Sequence, residues 1–301
     1  MNTLSASEAF EAYEAARSRL PDARPGRPPP KRIETLADII DQFDVFLLDA
    51  FGVLNIGESP IAGVPERVRE LQAAGKRLLV VSNAASTPRE ALQQKYQRLG
   101  YDIPLEDIIT SRMAAIAGLA NAPVATWGVM GLAGASMRDF GTLDWVLLGD
   151  DPADYAHVGG FLLVGSAEWT ENRQRLLEQA LEKKPRPLRI ANPDIVAPRE
   201  KGYSTEPGHY AHRLARATGV SPMFFGKPFT NIFDIAFDHL EGFQRSRVVM
   251  VGDSLHTDVL GAQTAGIASV LISDFGFFAG EDVLGAIERS AIVPDYIARR
   301  P

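Results

Sequence analysis

The sequence predicts an α/β protein: a parallel sheet with helices on both faces, interrupted by a second, smaller α/β unit. Three observations predict it. After residue 33, short apolar runs alternate with amphipathic segments, the pattern of strand–helix–strand units that pair in parallel. Three of those runs stop at a polar residue, Asp49, Ser82 and Asp253. The middle of the chain, about 124–215, carries strand and helix candidates of its own. A length of 301 residues suits one large or two ordinary domains.

The elements follow in order. Residues 5–20 read as a helix: Ser5 and Glu8 have capping-box spacing, and Phe10, Tyr13 and Leu20 share a face. Residues 21–32 are rich in Pro and Arg and read as a stiff polar linker, with an SH3-type ligand or an anion-binding arm as alternatives. Val45–Leu48 reads as a buried strand, Pro65–Ala74 as a helix and Arg77–Val81 as a second strand. A helix over Thr87–Leu99 has Thr87 as N-cap, Pro88 at its first position and Gly100 as stop. The middle unit offers strands at Val124–Val129, Trp145–Leu148, Phe161–Val164 and Leu188–Ala191, with helices at about 131–139 and 171–183. Strand Val248–Val251, helix Thr257–Ala265 and strand Ala268–Ile272 resume the first pattern. The expected division is an N-terminal helix and linker (1–32), a Rossmann-like core (33–123 plus 216–301) and an insert (124–215).

Composition removes several function classes. With no cysteine, disulfide scaffolds, Cys-ligated zinc, iron–sulfur clusters and thiol nucleophiles are excluded. A net charge of −7 disfavours general binding to nucleic acid or anionic membranes. No apolar run reaches the roughly 18 residues of a membrane span, and the N-terminal stretch lacks the apolar core of a secretory signal. A cytoplasmic location is the expectation.

The chemistry concentrates where strands end, because ligands of an open parallel sheet bind at the carboxyl ends of its strands. LLDAFGVLNIG (47–57) offers Asp49 as a nucleophile or hard metal ligand. LLVVSNAASTPRE (78–90) offers Ser82 and Asn83 as donors to an anion. FFGKPFTNIF (224–233) places Lys227 between Gly226 and Pro228, and VVMVGDSLHTDVLGAQTAG (248–266) carries Asp253 and Asp258. Oxygen ligands without Cys or clustered His favour Mg²⁺ over zinc.

These four stretches, in this order, resemble the four motifs of the haloacid dehalogenase superfamily. The insert, with Ala191-Asn192-Pro193-Asp194, resembles the class IIA cap of the 4-nitrophenylphosphatase, sugar-phosphatase and phosphoglycolate phosphatase branch. The resemblance covers about residues 35–300. It implies an Mg²⁺-dependent phosphohydrolase for a small phosphorylated substrate, working through an aspartyl phosphate on Asp49. It implies Mg²⁺ bound by Asp49, the main-chain carbonyl of Phe51, and Asp253. Ser82, the backbone of Asn83, and Lys227 would hold the phosphoryl oxygens. Ser254 and Asp258 would stand behind them, Asp258 orienting Lys227 or a metal-bound water. Asn192 and Asp194 would face the leaving group from the cap. Relatives that pair through their caps make a homodimer the expected assembly.

One position departs from the family's Asp-x-Asp first motif. The second Asp, which protonates the leaving oxygen and activates water, is Phe51 here. General acid–base catalysis contributes typically about 10²–10⁴-fold, so alkyl phosphates should suffer more than aryl phosphates, phosphoramidates or anhydrides. Two further readings stay open: a weakly active or inactive phosphate-ligand binding protein, and a 2-haloacid dehalogenase-like hydrolase, because Asp-Ala-Phe-Gly is similar to that enzyme's first motif. His209 and His212 have zinc-ligand spacing but no evident third ligand, and read as a packed helix face. His256 lies inside the fourth motif, and Trp127, Trp145 and Trp169 read as packing residues. Phe275–Phe278 reads as packing, with the substrate mouth or a subunit contact as alternatives. Asp150-Asp151 reads as a loop.

Overall fold

The computed structural model describes residues 3–120, 122, 125–198 and 202–301. The larger sheet has seven parallel strands among the described residues. In spatial order they are Lys31–Ile33, Tyr296–Ala298, Ala268–Ile272, Val248–Gly252, Val45–Leu48, Arg77–Ser82 and Ile108–Thr110. Val45–Leu48 is central because all four side chains are apolar and buried, as a strand covered on both faces requires. Alternate residues feed opposite cores. Phe46, Leu48, Val80, Val249 and Val251 pack on one face with Val68 and Leu71 of helix Val64–Ala73. Val45, Leu47, Leu79, Val81 and Met250 pack on the other with Ile232, Phe233 and Ala236 of helix Thr230–Asp238.

The second sheet has five parallel strands in the order Met223–Phe224, Leu188–Ile190, Gly160–Leu163, Trp127–Met130, Trp145–Leu147. Helices Glu171–Lys183 and Pro207–Thr218 cover it with Leu177, Leu181 and Leu214. Position 215 falls inside the latter helix, and the last strand of this sheet lies beyond it.

Five expectations differ. No α-helix forms over 131–139; Gly131 and Gly134, the latter at φ +80°, interrupt it. A 3₁₀ turn, Arg138–Phe140, stands there, held by Arg112, whose guanidinium binds Asp139 and the Ser136 carbonyl. The helix expected from Thr87 begins at Arg89, because Pro88 is extended (ψ 151°) and acts as the cap residue. The helix expected at Thr257 opens instead as a wide π turn, Leu255–Val259, before α-helix Leu260–Ala265. The first helix ends at Ala15 and a 3₁₀ turn, Arg17–Arg19, follows. The strand expected from Val124 begins at Trp127, and Val124 lies outside the described residues.

The N-terminal arm lies against the rest of the molecule. Thr3–Leu4 pairs antiparallel with Tyr203–Thr205, which pairs with Val196–Pro198. Helix Ala6–Ala15 has the expected capping box between Ser5 and Glu8. In the Pro-rich stretch, Arg24 N–H donates to Gln263 Oε1 at 3.0 Å, Arg27 pairs with Asp295, and Lys31–Ile33 forms the sheet edge. No helix among the described residues is long and apolar enough to cross a membrane. Leu79→Ala, at a fully buried position of a central strand, should lower unfolding free energy by about 2–5 kcal/mol, read by urea denaturation at unchanged m.

Candidate active site

Four strand ends and loops meet at the carboxyl edge of the larger sheet. Asp49 follows Leu48, and its N–H donates to Val251 O (2.9 Å), so the two central strands fix where it starts. Asp253 follows Gly252 one strand away. Lys227 arrives from the loop before helix Thr230–Asp238 and is almost fully buried. Its Nζ lies 2.7 Å from Asp49 Oδ1 and 2.7 Å from Asp258 Oδ1. The second oxygen of Asp258 accepts from Ser254 N–H at 3.1 Å.

Oxygens of Asp49, Asp253 and Asp258 lie within 4.8 Å of one another. Burial and then the charge of Asp258 and Asp49 push the Asp253 pKa well up, against a hydrogen bond from Phe277 N–H (2.8 Å). Burial lifts Asp49 to about 6, partly offset by Lys227. Burial opposes the charge on Lys227, but Asp258 and Asp49 outweigh it and raise its pKa. Three carboxylates against one ammonium leave a buried excess of negative charge, and every donor is an oxygen. That set fits a hard divalent cation. The pocket for Asp253 is tight: a Cβ on Gly52 would stand 2.5 Å from Asp253 Oδ2, and one on Gly276 1.9 Å. Both glycines have positive φ, +70° and +69°, so other residues are disfavoured twice over.

Asn83 ties the site together. Its Oδ1 accepts from Lys227 N–H (2.8 Å), and its Nδ2 donates to Lys227 O (3.0 Å) and Asp194 Oδ1 (2.7 Å). Ser82 Oγ accepts from Ala84 N–H at 3.3 Å. Asn192 Oδ1 accepts from Asp194 N–H (2.9 Å), and its Nδ2 donates to Glu206 (3.4 Å), so its side chain shapes the turn. A cavity of about 400 Å³ runs between the sheet edge and this turn; Asp49, Phe51, Ser82, Asn83, Asn192, Asp194, Asp253 and Ser254 all line it. Lys227 and Asp258 stand behind that wall, and the Phe51 ring lies 5.4 Å beneath Lys95 Nζ.

Sequence reasoning missed several cavity residues: Tyr13 from the N-terminal helix, Lys95 and Arg98 from helix Arg89–Arg98, and Glu206. Lys95 and Arg98 sit three apart in a helix beginning just after the Ser82 loop, which is a readable signal. Phe277 meets two of the readings of its stretch, packing and the substrate mouth: its ring is buried, it lines the cavity, and its N–H holds Asp253. His256 is buried against the arm, with Nε2 2.6 Å from Glu14 Oε1. His212 stacks on Phe224, and burial pushes its pKa down to about 3. Trp127 packs as expected, but Trp145 is 38% exposed, because it lies on the edge strand of the second sheet.

Two family models match the chain, haloacid dehalogenase-like hydrolase over residues 46–138 and a related hydrolase-like model over 224–299. Human glycerol-3-phosphate phosphatase is 30% identical over 308 residues, spanning 91% of this chain and 93% of that protein. The chain belongs to the haloacid dehalogenase-like hydrolase family. Its similarities fall in the class IIA branch of that family. The 4-nitrophenylphosphatase of Schizosaccharomyces pombe is 27% identical over 86% of this chain and 92% of that protein. A possible sugar phosphatase of Cytophaga hutchinsonii has the same fold, with TM-score 0.78 and 24% identity over 90% of this chain and 98% of that structure.

The electrostatics of Asp194 yield a test. Its carboxyl is half-buried; loss of water, with the charges of Asp49 and Glu206, lifts its pKa to about 8 against the Asn83 hydrogen bond and Lys227. The folded protein therefore holds this proton where the unfolded chain, near 3.8, has lost it. Stability falls as pH rises between those values. Asp194→Asn keeps an oxygen for Asn83 and cannot titrate. Urea unfolding at pH 5 and pH 9 should show the variant gaining on the wild type at the higher pH.

Proposed function

We propose that the protein is a phosphohydrolase for a small phosphorylated metabolite, with Asp49 as nucleophile. The observation that carries this reading is the Asp49 carboxylate, held by Lys227 beside Asp253 at the floor of a cavity. Phosphatase names among the relatives support it. An Asp49 oxygen attacks phosphorus; the new O–P bond forms as the bond to the leaving group breaks. Water then attacks the aspartyl phosphate, releasing inorganic phosphate and regenerating the carboxylate.

Asp49, Asp253 and the main-chain carbonyl of Phe51 would hold Mg²⁺, which when bound supplies positive charge against the repulsion between nucleophile and phosphate. Lys227, the Ser82 hydroxyl and the Asn83 backbone N–H bind the phosphoryl oxygens. Asp258 and Ser254 keep Lys227 aimed, since one Asp258 oxygen meets its Nζ and the other is anchored on Ser254 N–H. Asn192 and Asp194 bound the leaving group. Phe51 gives no proton to that group, so leaving groups that depart unaided are favoured: aryl phosphates, phosphoramidates and anhydrides. The exposed Leu132, Trp145 and Val146 support a homodimer through the second sheet; Trp145→Glu should shift such a dimer to monomer in light scattering.

Phosphate release from a compound panel, with and without Mg²⁺, tests the reading. Asp49→Asn should abolish release while the circular-dichroism spectrum stays unchanged; full activity in that variant sinks the covalent mechanism. Metal-independent halide release from 2-haloacids would instead identify a dehalogenase. Phe51→Asp should raise turnover of alkyl phosphates relative to aryl phosphates by roughly tenfold or more.

A further inference from the structure

The mechanism above leaves the N-terminal helix without a role, although one of its side chains reaches the cavity. Tyr13 is 3% exposed and lines the wall between Asp253 and Asp194. Its ring stacks on His256, centroids 4.8 Å apart and planes 10° from parallel. His256 Nε2 meets Glu14 of the same helix at 2.6 Å, and Phe10 packs edge-on against the same imidazole. On its other side the Tyr13 hydroxyl accepts from Ile195 N–H at 3.1 Å, in the residue after Asp194. The helix thus plugs the gap between the fourth motif and the Asn-Pro-Asp turn.

That hydroxyl has one bond left to make. It accepts from Ile195, but among the described residues nothing accepts its hydrogen. A buried hydroxyl donor is ordinarily satisfied, and here the open direction is the cavity. Burial, and then the charge of Asp194, raises the Tyr13 pKa well above its usual value, so the phenol stays a donor at working pH. Accepting from a backbone N–H polarises the O–H and strengthens it as a donor.

We propose that the Tyr13 hydroxyl donates a hydrogen bond to a polar group on the part of the substrate that leaves phosphorus, making the N-terminal helix a specificity element. This rests on the phosphohydrolase reading. The ligand class follows from the chemistry: phosphate compounds whose leaving group carries a hydroxyl or carboxylate acceptor, rather than a bare hydrocarbon. The leaving part is its target and not the phosphoryl oxygens, because the hydroxyl stands at the Asn-Pro-Asp turn, bonded to Ile195 N–H beside Asp194.

The test compares kcat and KM of wild type, Tyr13→Phe and Phe10→Leu. The substrates are phenyl phosphate and a set of phenyl phosphates carrying hydroxyl or carboxylate groups. Tyr13→Phe keeps the ring on His256 and removes only the hydroxyl. It should lower kcat/KM for the acceptor-bearing esters relative to phenyl phosphate by roughly tenfold, mainly through KM. Phe10→Leu loosens the helix without touching the hydroxyl and should leave that ratio where it is. An even loss across all substrates in Tyr13→Phe overturns the inference, because it marks a packing role only. The same selective shift in Phe10→Leu also overturns it, assigning the effect to the arm's fit. Wild-type protein silent on every phosphate compound overturns the phosphohydrolase reading itself, and this inference with it.

Discussion

Lys227 Nζ stands 2.7 Å from a carboxylate oxygen on each side, Asp49 and Asp258, and each member of that trio depends on the others. Removing one partner of a buried ion pair leaves an uncompensated charge, at a cost of about 3–5 kcal/mol. The surrounding structure serves this arrangement. Val45–Leu48 and Val248–Gly252 run side by side, so Asp49 and Asp253 emerge as neighbours. Asn83 grips both the N–H and the carbonyl of Lys227, which fixes the backbone from which the ammonium extends. The same amide holds Asp194, so the position of the second sheet's turn depends on the residue that positions the cation. The floor and one wall of the cavity are therefore one connected set of hydrogen bonds. Fixed geometry of this kind favours electrostatic stabilisation, because the donors need no reorganisation as charge develops.

Phe51 changes how that geometry can be used. Its ring lies under Lys95 at the cavity wall, so the place where the family's first motif carries a second carboxylate is apolar and faces a cation. An added carboxylate would join a cluster that already holds more negative than positive charge, raising its own pKa and those of its neighbours. The phenylalanine removes that repulsion together with a proton donor. Across the cavity, burial lifts the Asp194 carboxyl to about 8, so it holds its proton at neutral pH. The site thus combines an anionic floor with less negative walls, which suits an anionic phosphoryl group only when a cation is added at the floor.

Much of this was legible in the sequence because the informative residues are local to strand ends. An apolar run followed by Asp or Ser fixes both a strand and the loop residue that leaves it, so Asp49, Ser82 and Asp253 could be placed without the fold. Helix Glu171–Lys183 was legible for a similar reason, a helical spacing of apolar residues uninterrupted by glycine. The stretch 131–139 failed because Gly131 and Gly134 weigh more than its remaining propensity. The π turn at Leu255–Val259 was not legible at all; its backbone winds so that Asp258 reaches both Ser254 N–H and Lys227. Tyr13 is readable as part of a helix face, but its partner is not, since Ile195 is 182 positions away. No periodicity encodes such a meeting, which arises only when the second unit folds back over the sheet.

The N-terminal arm shows what that meeting accomplishes. Thr3–Leu4 adds a strand to the hairpin that follows the Asn-Pro-Asp turn. Ten residues on, Tyr13 holds the backbone of the turn itself, and Glu14 holds His256 in the fourth motif. Phe277 completes the circuit: its ring packs against Tyr13, its carbonyl accepts from the Tyr203 hydroxyl, and its N–H binds Asp253. A change in the separation of the two sheets would have to break the added strand, the Tyr13 bond or the His256 stack, each formed between different elements. The space between Asp253 and Asp194 is thus bounded by a segment outside all four motifs as well as by Asn83 inside the second. The buried charges lie inside the motifs, and the helix that closes this side of the cavity lies outside them, so the cavity wall can change here without disturbing those charges.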